Sequence, residues 1–389
     1  MFFSQFLRSW RRGAKPSDLR LVIDIGSLSI KTVLYRKKGD TVEIIRRLAS
    51  RFPQRKDALG AVSFINQYLR ETIFGFIKEL RVMPDQVLVG FSSDFILSAV
   101  DTLRVERPNR NKRISEDELV MLYKKGVEAL MKKDEKYVLV DSFPLVITVD
   151  GYEIFDTKEA VRGSEIEIKT FGLFMAHEYW EQFRHLHKIL GGLNVKYISN
   201  QLVNALSLPK LLGVDTGFFI DIGGMATEIT FLDRGKIAFI DRIHYGGDSA
   251  TQELLAMRNG YMEAETLKRQ YSDGIAPEML RGRIGDACKK VAAEWRAKFL
   301  GSLSANFGFI ASDKIFVFGG GAALPEMRAE LMDQSLFKDF AFSDNVSVVF
   351  LEAEKITPPE FSGEKLTSSS EITLVSLMIH SLAGATLHR

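Results

Sequence analysis

Two short stretches of this 389-residue chain carry the groups that phosphate and metal chemistry need. In the first, Asp24-Ile25-Gly26-Ser27-Leu28-Ser29-Ile30-Lys31, a tight Gly-Ser turn between strands presents backbone N–H groups and a hydroxyl suited to phosphate oxygens. Lys31 adds a positive charge, and the Asp24 carboxylate can hold the waters around a magnesium ion. In the second, Asp221, Gly223, Gly224 and Thr227 repeat the arrangement. Either copy alone is also what a strand ending at any turn would show. Together they make two turns able to clamp one polyphosphate from opposite sides, with two carboxylates organising one hydrated metal.

Three further features accompany them. Phe318-Gly319-Gly320-Gly321-Ala322-Ala323-Leu324-Pro325 reads as strand, glycine turn and helix, where successive glycines allow close backbone approach by a flat base or a phosphate. Tyr245-Gly246-Gly247-Asp248 is another glycine turn opening a helix. Glu265 and Lys268 stand three apart on one helical face, placed either to reach ribose hydroxyls or to form a surface ion pair.

The elements that must position these groups show an internal echo. LVIDIGSLSIKTVLYRKKGDTVEIIRRL begins at Leu21 and FFIDIGGMATEITFLDRGKIAFIDRI at Phe218. Each is a strand ending Ile-Asp-Ile-Gly, a β-rich stretch, a turn (Gly39-Asp40; Asp233-Arg234-Gly235) and a returning strand. Two such units predict two related halves facing each other. Between them lies an α/β alternation. A helix is expected over residues 59–80, with Leu69, Ile73, Phe76, Ile77 and Leu80 on one face, then the strand VLVGF. Ser115 and Glu118 form a capping box opening a helix to about residue 131. The strands KYVLVD, LVITVDG and SEIEIKTFGLFM follow, then a helix marked by Tyr179, Trp180, Phe183 and Leu190 and stopped by Gly191-Gly192. Residues 106–196 thus form a unit inserted in the first half, with RPNRNKR as a solvated loop at its entry. Beyond the second unit, helices are expected around 250–257, 264–271 and 277–303, then the strand KIFVF, a surface loop PPEFSGEKLTSSS and a final helix.

Composition narrows the classes. With 46% hydrophobic and 26% charged residues the chain has the profile of a soluble globular protein, and a net charge of +2 gives nucleic-acid binding no support. A single cysteine, Cys288, excludes internal disulfides and multi-cysteine metal sites and fits a reducing cytoplasm. His185 and His187 point to different faces of one helix, and no G-x-S-x-G, P-loop or H-E-x-x-H motif occurs. The longest apolar run, LVSLMIHSLAGATL, falls short of a membrane span and contains His380, so it predicts a buried helix.

The ordered set IDIGSLSIK, IDIGGMATE, YGGDS, MEAETLKRQY and FGGGAALP resembles the nucleotide-binding signature of the actin, sugar-kinase and heat-shock-chaperone superfamily. Within it, RISEDEL, VDSFPLVITVDG and VRGSEIEIKTFGLFM resemble the small inserted subdomain of the FtsA family of bacterial division proteins and its PilM relatives, over residues 19–389. The resemblance implies an α/β actin-like ATPase fold of two duplicated lobes around a nucleotide cleft, with ATP and Mg2+ as ligands. It implies lobes at 19–105 and 197–389 and the insert at 106–196, while residues 1–18 are read from their own pattern as a membrane-targeting segment and hinge. Asp24, Gly26, Ser27 and Lys31 become the first phosphate site, and Asp221, Gly223, Gly224 and Thr227 the second. Asp24 and Asp221 serve the metal; Gly246 and Gly247 join the nucleotide loops; Gly319, Gly320 and Gly321 approach the adenosine; Glu265 and Lys268 sit beside the sugar. The water-orienting position of actin-type ATPases falls on Asn200, or Gln201, with Asp221 completing the catalytic pair. Two departures stand out: Met225 occupies a turn position usually held by a small residue, and Asn200 is shorter than the usual Gln or Glu. Both imply slow or absent hydrolysis.

The function implied is a polymerising adaptor of the FtsA type, linking an FtsZ-like ring to the membrane through self-association into filaments. The alternative is a PilM-type cytoplasmic assembly factor binding a pilus membrane protein's tail. A sugar kinase is disfavoured because no catalytic acid near an acceptor is evident. FtsA proteins usually carry an amphipathic tether at the C-terminus; here the candidate is at residues 1–12. At ~100° per residue, Phe2, Phe3, Phe6, Leu7 and Trp10 fall within roughly 140° of the circumference, with Arg8, Arg11 and Arg12 on the other face. That pattern suits the anionic inner face of a cell membrane, placing the protein in the cytoplasm and peripheral to the bilayer.

Overall fold

In the computed structural model, residues 18–52, 58–80, 83–131, 136–154, 161–189, 193–257, 260–306, 312–337 and 346–383 are described. The chain builds β1 (Leu19–Ile25), β2 (Ser29–Lys38), β3 (Thr41–Arg51), α1 (Ala58–Leu80), β4 (Gln86–Phe91), β5 (Ile96–Glu106), α2 (Glu116–Met131), β6 (Tyr137–Val149), β7 (Tyr152–Glu153) and β8 (Glu165–Ala176). It continues through α3 (His177–Ile189), β9 (Asn194–Ser199), α4 (Asn200–Leu212), β10 (Gly217–Ile222), β11 (Thr227–Asp233), β12 (Lys236–Ile243), α5 (Asp248–Leu254), α6 (Tyr261–Ser272) and α7 (Glu278–Asn306). β13 (Lys314–Phe318), α8 (Pro325–Met332), β14 (Ser347–Phe350), α9 (Ala353–Ile356), β15 (Phe361–Gly363) and α10 (Ile372–Leu382) complete it.

The echo in the sequence is an echo in topology. One sheet runs β15-β3-β2-β1-β4-β9 and another β12-β11-β10-β13-β14, so both contain an antiparallel meander whose first strand pairs in parallel with a later strand, which in turn pairs in parallel with another. The registers match at the chemistry: Ile25 faces Ile30 across the first turn, and Ile222 faces Thr227 across the second. Strands β1, β4 and β10 are almost continuously buried, as strands covered on both faces must be. In the first lobe α1 contributes Val62, Ile65, Leu69 and Ile73 on one side, while α4 and α10 contribute Leu202, Val203, Leu374 and Leu377 to the same core. In the second, Trp295 and Phe299 of α7 stack at 5.0 Å within a separate core. The third sheet, β5-β8-β6-β7, packs on α2 through Leu119, Leu122, Ile166 and Ile168.

The boundaries fall elsewhere than the sequence suggests. The inserted sheet already begins with β5 at Ile96, because β5 pairs with β8 along its whole length. Helix α3 belongs to the first lobe, where Phe183 packs edge-on against Phe91. α4 and α10 add to the first core, and β15 pairs with β3 inside the expected surface loop, so the chain returns to the first lobe at its end. Ser115 does cap α2 through the Glu118 N–H, but the Glu118 carboxylate takes a bidentate ion pair with Arg107 at 2.7 and 3.0 Å. The first arginine of RPNRNKR is therefore buried structure, not solvated loop. Among the described residues no helix is long and apolar enough to cross a membrane. The amphipathic stretch at residues 1–12 lies outside the described residues.

Candidate functional site: a cleft between two glycine turns

The two Asp-Ile-Gly turns close in the same way and meet across a cavity of about 450 Å³. Gly26 N–H donates to the Ser29 carbonyl and Gly223 N–H to the Ala226 carbonyl, each at 2.9 Å. The turns also touch: Met225 N–H donates to Ser27 Oγ at 3.2 Å, and a Cβ on Gly224 would lie 2.5 Å from Leu28 Cδ1. Beneath them Gly247 and Asp248 N–H groups bind the Gly223 and Gly224 carbonyls at 2.9 and 2.7 Å, holding the second turn on the start of α5.

Most of the sequence-predicted residues converge here. Asp24, Gly26, Ser27, Lys31, Asn200, Asp221, Gly223, Gly224, Gly247, Glu265, Lys268, Gly319, Gly320 and Gly321 all line the cavity. Two do not. Gly246 packs against the backs of Gly223 and Gly224 and shapes their loop. Thr227 is fully buried, its hydroxyl donating to the Tyr245 carbonyl at 2.8 Å and accepting from Trp295 Nε1 at 2.9 Å, so it is a core bridge and not a phosphate ligand. Thr227→Val strands an indole N–H and a carbonyl in the core and should lower stability by roughly 2–3 kcal/mol. Urea unfolding checks this; an unchanged midpoint would remove the bridge from the account. The position of Met225 also corrects an expectation. It does not line the cavity and is 39% exposed, so its bulk leaves the turn open.

Asn200 opens α4 behind the cap Ser199 and donates from Nδ2 to Asp24 Oδ1 at 2.8 Å, while Lys31 Nζ holds Asp24 Oδ2 at 2.8 Å. Gln201 donates to the Ile229 and Asp241 carbonyls, so of the two residues only Asn200 lines the cavity. Glu265 and Lys268 pair at 2.6 Å, and Lys268 also donates to the Gly247 carbonyl and Thr251 Oγ1. Burial pushes the Glu265 carboxyl up, but Lys268, Thr251 and Arg51 together hold it below its ordinary value. The pair braces α6 on α5 at the cavity wall.

Sequence reasoning missed several groups. Glu228 enters the cavity from β11, one Oε accepting from the Ser93 N–H at 2.9 Å and the other buried with no hydrogen-bond partner. Its place within IDIGGMATE was a usable signal. Arg51 at the end of β3 pairs with Glu265 across the lobes, a tie between residues 214 apart that nothing local announces. Arg242 binds Asp94 at 2.5 Å in a second such tie. Ser368, Ser369 and Ser370, expected in a surface loop, instead wall the cavity at the start of α10.

The electrostatics suit a bound cation. The Asp221 carboxyl is pushed up to about 8 by burial, then by neighbouring Glu228 and Asp24, with Lys31 opposing. Glu228 is also raised, chiefly by burial. Residues lining the cavity carry buried oxygens without a hydrogen-bond partner: Glu228 Oε2, Asn200 Oδ1 and the hydroxyls of Ser93 and Ser369. Among the described residues no three acidic, histidine or cysteine side chains converge as direct metal ligands. The donor set therefore fits an ion held through waters and phosphate oxygens, which is how Mg2+ is usually bound.

A second cavity of about 510 Å³ lies between β6 and β9. Among the described residues β9 ends its sheet and β7 covers β6 only at Thr148 and Val149, so both are edge strands there. Bulges in β6 leave Val140 and Leu145 out of register with β8, and both line the groove with Phe143, Phe171 and Tyr197. α4 borders both cavities: Asn200 at its start lines the first, and Leu202 and Leu206 line the second.

No family model matches the chain, and no curated protein matches it. Solved structures do. A structure of the PilM–PilN type IV pilus biogenesis complex is similar at 16% identity over 94% of this chain and 99% of that one, with a TM-score of 0.65. The ethanolamine utilization protein EutJ from Carboxydothermus hydrogenoformans is similar at 15% identity over 97% and 98%, with a TM-score of 0.50. The chain has the actin-like ATPase fold. At such identities the likeness concerns the fold alone.

Proposed function

We propose that this protein binds Mg-ATP between its lobes and works as a nucleotide-set adaptor, with the groove between β6 and β9 seating the cytoplasmic tail of a membrane protein. One observation carries the nucleotide reading: two Asp-Ile-Gly turns face each other across a glycine-floored cavity, with Asp24 and Asp221 both on its wall. When bound, the metal offsets the charge of the phosphates and of Asp24 and Asp221. The chain's own groups do the rest. The turns offer N–H donors and Ser27 a hydroxyl, Lys31 orients Asp24, and Gly320 leaves room for the base beside Ser370. Asn200 is shorter than Gln or Glu, its Nδ2 is held by Asp24 and its Oδ1 is buried against Gly90, so it orients a water poorly, which supports turnover well below the ~10 s⁻¹ median of enzymes.

Calorimetry tests the site. Asp24→Ala should weaken Mg-dependent ATP binding by at least ~10-fold, equivalent to about 1.4 kcal/mol, and Gly320→Val should abolish it by filling the cavity. Equal affinity in both variants and the parent would move the nucleotide elsewhere.

The pilus-type reading, in which the partner is a pilus membrane protein, is supported by the likeness to PilM in complex with PilN and by the groove. The division-type reading, with an FtsZ-like partner and filaments, is supported by the amphipathic pattern at residues 1–12. Synthetic tails of membrane proteins encoded beside this chain, titrated against an FtsZ-type tail, separate the two.

A further inference from the structure

The inserted sheet hangs from the first lobe at one end. The chain enters it at Ile96 and leaves it at Ala176, and these ends lie together because Ile96 stands in register with Met175. Phe95 at the entry packs on Phe91 and Phe183 of the first lobe. Phe171, Leu173 and Met175 belong to the first lobe's core beside this junction, while Ile166 and Ile168, farther along β8, belong to the insert's own core. Apolar contacts are non-directional, so they hold the junction together without fixing its angle. A polar contact to β9, Ser98 Oγ to Ser199 Oγ at 3.2 Å, lies only two residues from the junction. Farther out, the groove separates β6 of the insert from β9 of the first lobe.

Directional contacts reach the insert from the second lobe. Arg242 of β12 grips the entry turn, donating to the Ser93 carbonyl and to Asp94 Oδ1 at 2.5 Å, while Glu228 beside it accepts from the Ser93 N–H. The Asp94 side chain is 7% exposed, so salt screens this tie little. At the other end of β12, Lys236 pairs with Glu153 of β7, and the Ile237 carbonyl accepts from Lys169 Nζ of β8 at 3.0 Å. Lys236 is half exposed and contributes less. β12 borders the cleft as well: Arg242 stands in register with Glu228 and Ile243 with Thr227, beside the second glycine turn. One strand of eight residues, ~24 Å long, thus joins that turn to the inserted sheet.

We infer that β12 is the handle by which the second lobe sets the inserted sheet, so that the width of the groove follows the spacing of the lobes across the cleft. For its trigger this rests on the reading of the cleft as a nucleotide site. A rotation of the second lobe carries Arg242, Lys236 and Ile237 together. The insert then turns about its junction, while β9 stays in the first lobe's sheet and the groove between them widens or narrows.

The test places nitroxide labels at Asp141→Cys on β6 and Lys196→Cys on β9, which line opposite walls of the groove. Cys288 is buried and takes no label. Spin-echo distances are compared between the labelled full chain and the same chain with its ties cut by Arg242→Gln, Lys169→Met and Lys236→Gln, three positions that do not line the cleft. Without nucleotide, cutting the ties should broaden the label distance or shift its mean by more than ~2 Å. Mg-ATP should shift the distance in the full chain and lose most of that effect in the cut chain. An unchanged distance on cutting the ties overturns the inference, because the first lobe alone then orients the insert. So does a Mg-ATP shift of equal size in both chains, or Mg-ATP that binds the full chain without moving the labels. Where calorimetry shows ATP binding to neither chain and cutting the ties still moves the labels, the handle stands and the nucleotide trigger alone falls. If the triple variant does not fold, Arg242→Gln and Lys169→Met, each alone, carry the same comparison.

Discussion

Asp221→Asn should make the nucleotide-free protein more stable at pH 8 and, on the proposed function, should nearly abolish Mg-ATP binding. The Asp221 carboxyl, ordinarily near 3.8, is held at about 8 by burial and by Glu228 and Asp24. A carboxyl raised on folding stabilises the fold while protonated; that contribution is complete below about pH 4 and is lost as the pH climbs to 8. At pH 8 the folded protein carries a crowded anion that the unfolded chain hydrates freely. The amide keeps the shape and removes the charge. One pKa unit is about 1.4 kcal/mol, but the shift is shared with two other carboxylates, so roughly 2 kcal/mol is expected. Melting curves in EDTA should separate the variant from the parent at pH 8 and bring them together near pH 4. Mg-ATP affinity should meanwhile fall ~100-fold, or about 2.7 kcal/mol. A variant less stable than its parent at pH 8 would mean that the carboxylate serves the fold and not a ligand.

Adjacent glycines should behave in opposite ways. Gly319 has φ +94, and a Cβ there would run into Asp221 Oδ1 and lie 2.5 Å from the Ile222 carbonyl oxygen. Gly319→Ala combines a backbone conformation that L-residues avoid with overlap against a strand that cannot shift, and should cost about 3–5 kcal/mol. Gly320 has φ −67, and its Cβ would meet only Ser370 at 3.8 Å. Gly320→Ala should be neutral or slightly stabilising, by up to ~1 kcal/mol. Urea unfolding of the two single variants measures the contrast, and equal losses would show that the turn is not held against Asp221.

How much could be read in advance followed the distance over which each interaction acts. The turns were legible because their chemistry is local: Asp, Gly and a small polar residue within four positions, written twice. The twin sheets followed from that repeat. Thr227 was misjudged because its neighbour in the core, Trp295, is 68 residues away, and only packing reveals that its hydroxyl is already used. Arg51, Ser93 and Ser368 reach the cleft through tertiary contacts that no spacing encodes. The lobe boundaries shifted for a related reason. A β-strand of three residues, β15, carries too few side chains to signal a pairing with β3 more than three hundred residues earlier.

Helix α4 has a thermodynamic consequence. Its first residue holds Asp24 in the cleft between the two glycine turns, and two of its next six line the groove. Its cap, Ser199, also lines the groove. A rigid rod shared by two binding sites makes their affinities a single linked quantity. By whatever factor nucleotide alters the groove's hold on an occupant, the occupant alters the hold on nucleotide by the same factor. On the proposed function, a partner arriving at the groove would act as an exchange factor, and ATP as a partner-release or partner-retention signal according to the sign of one coupling energy. Titrating ATP with and without the occupant measures that energy from either end.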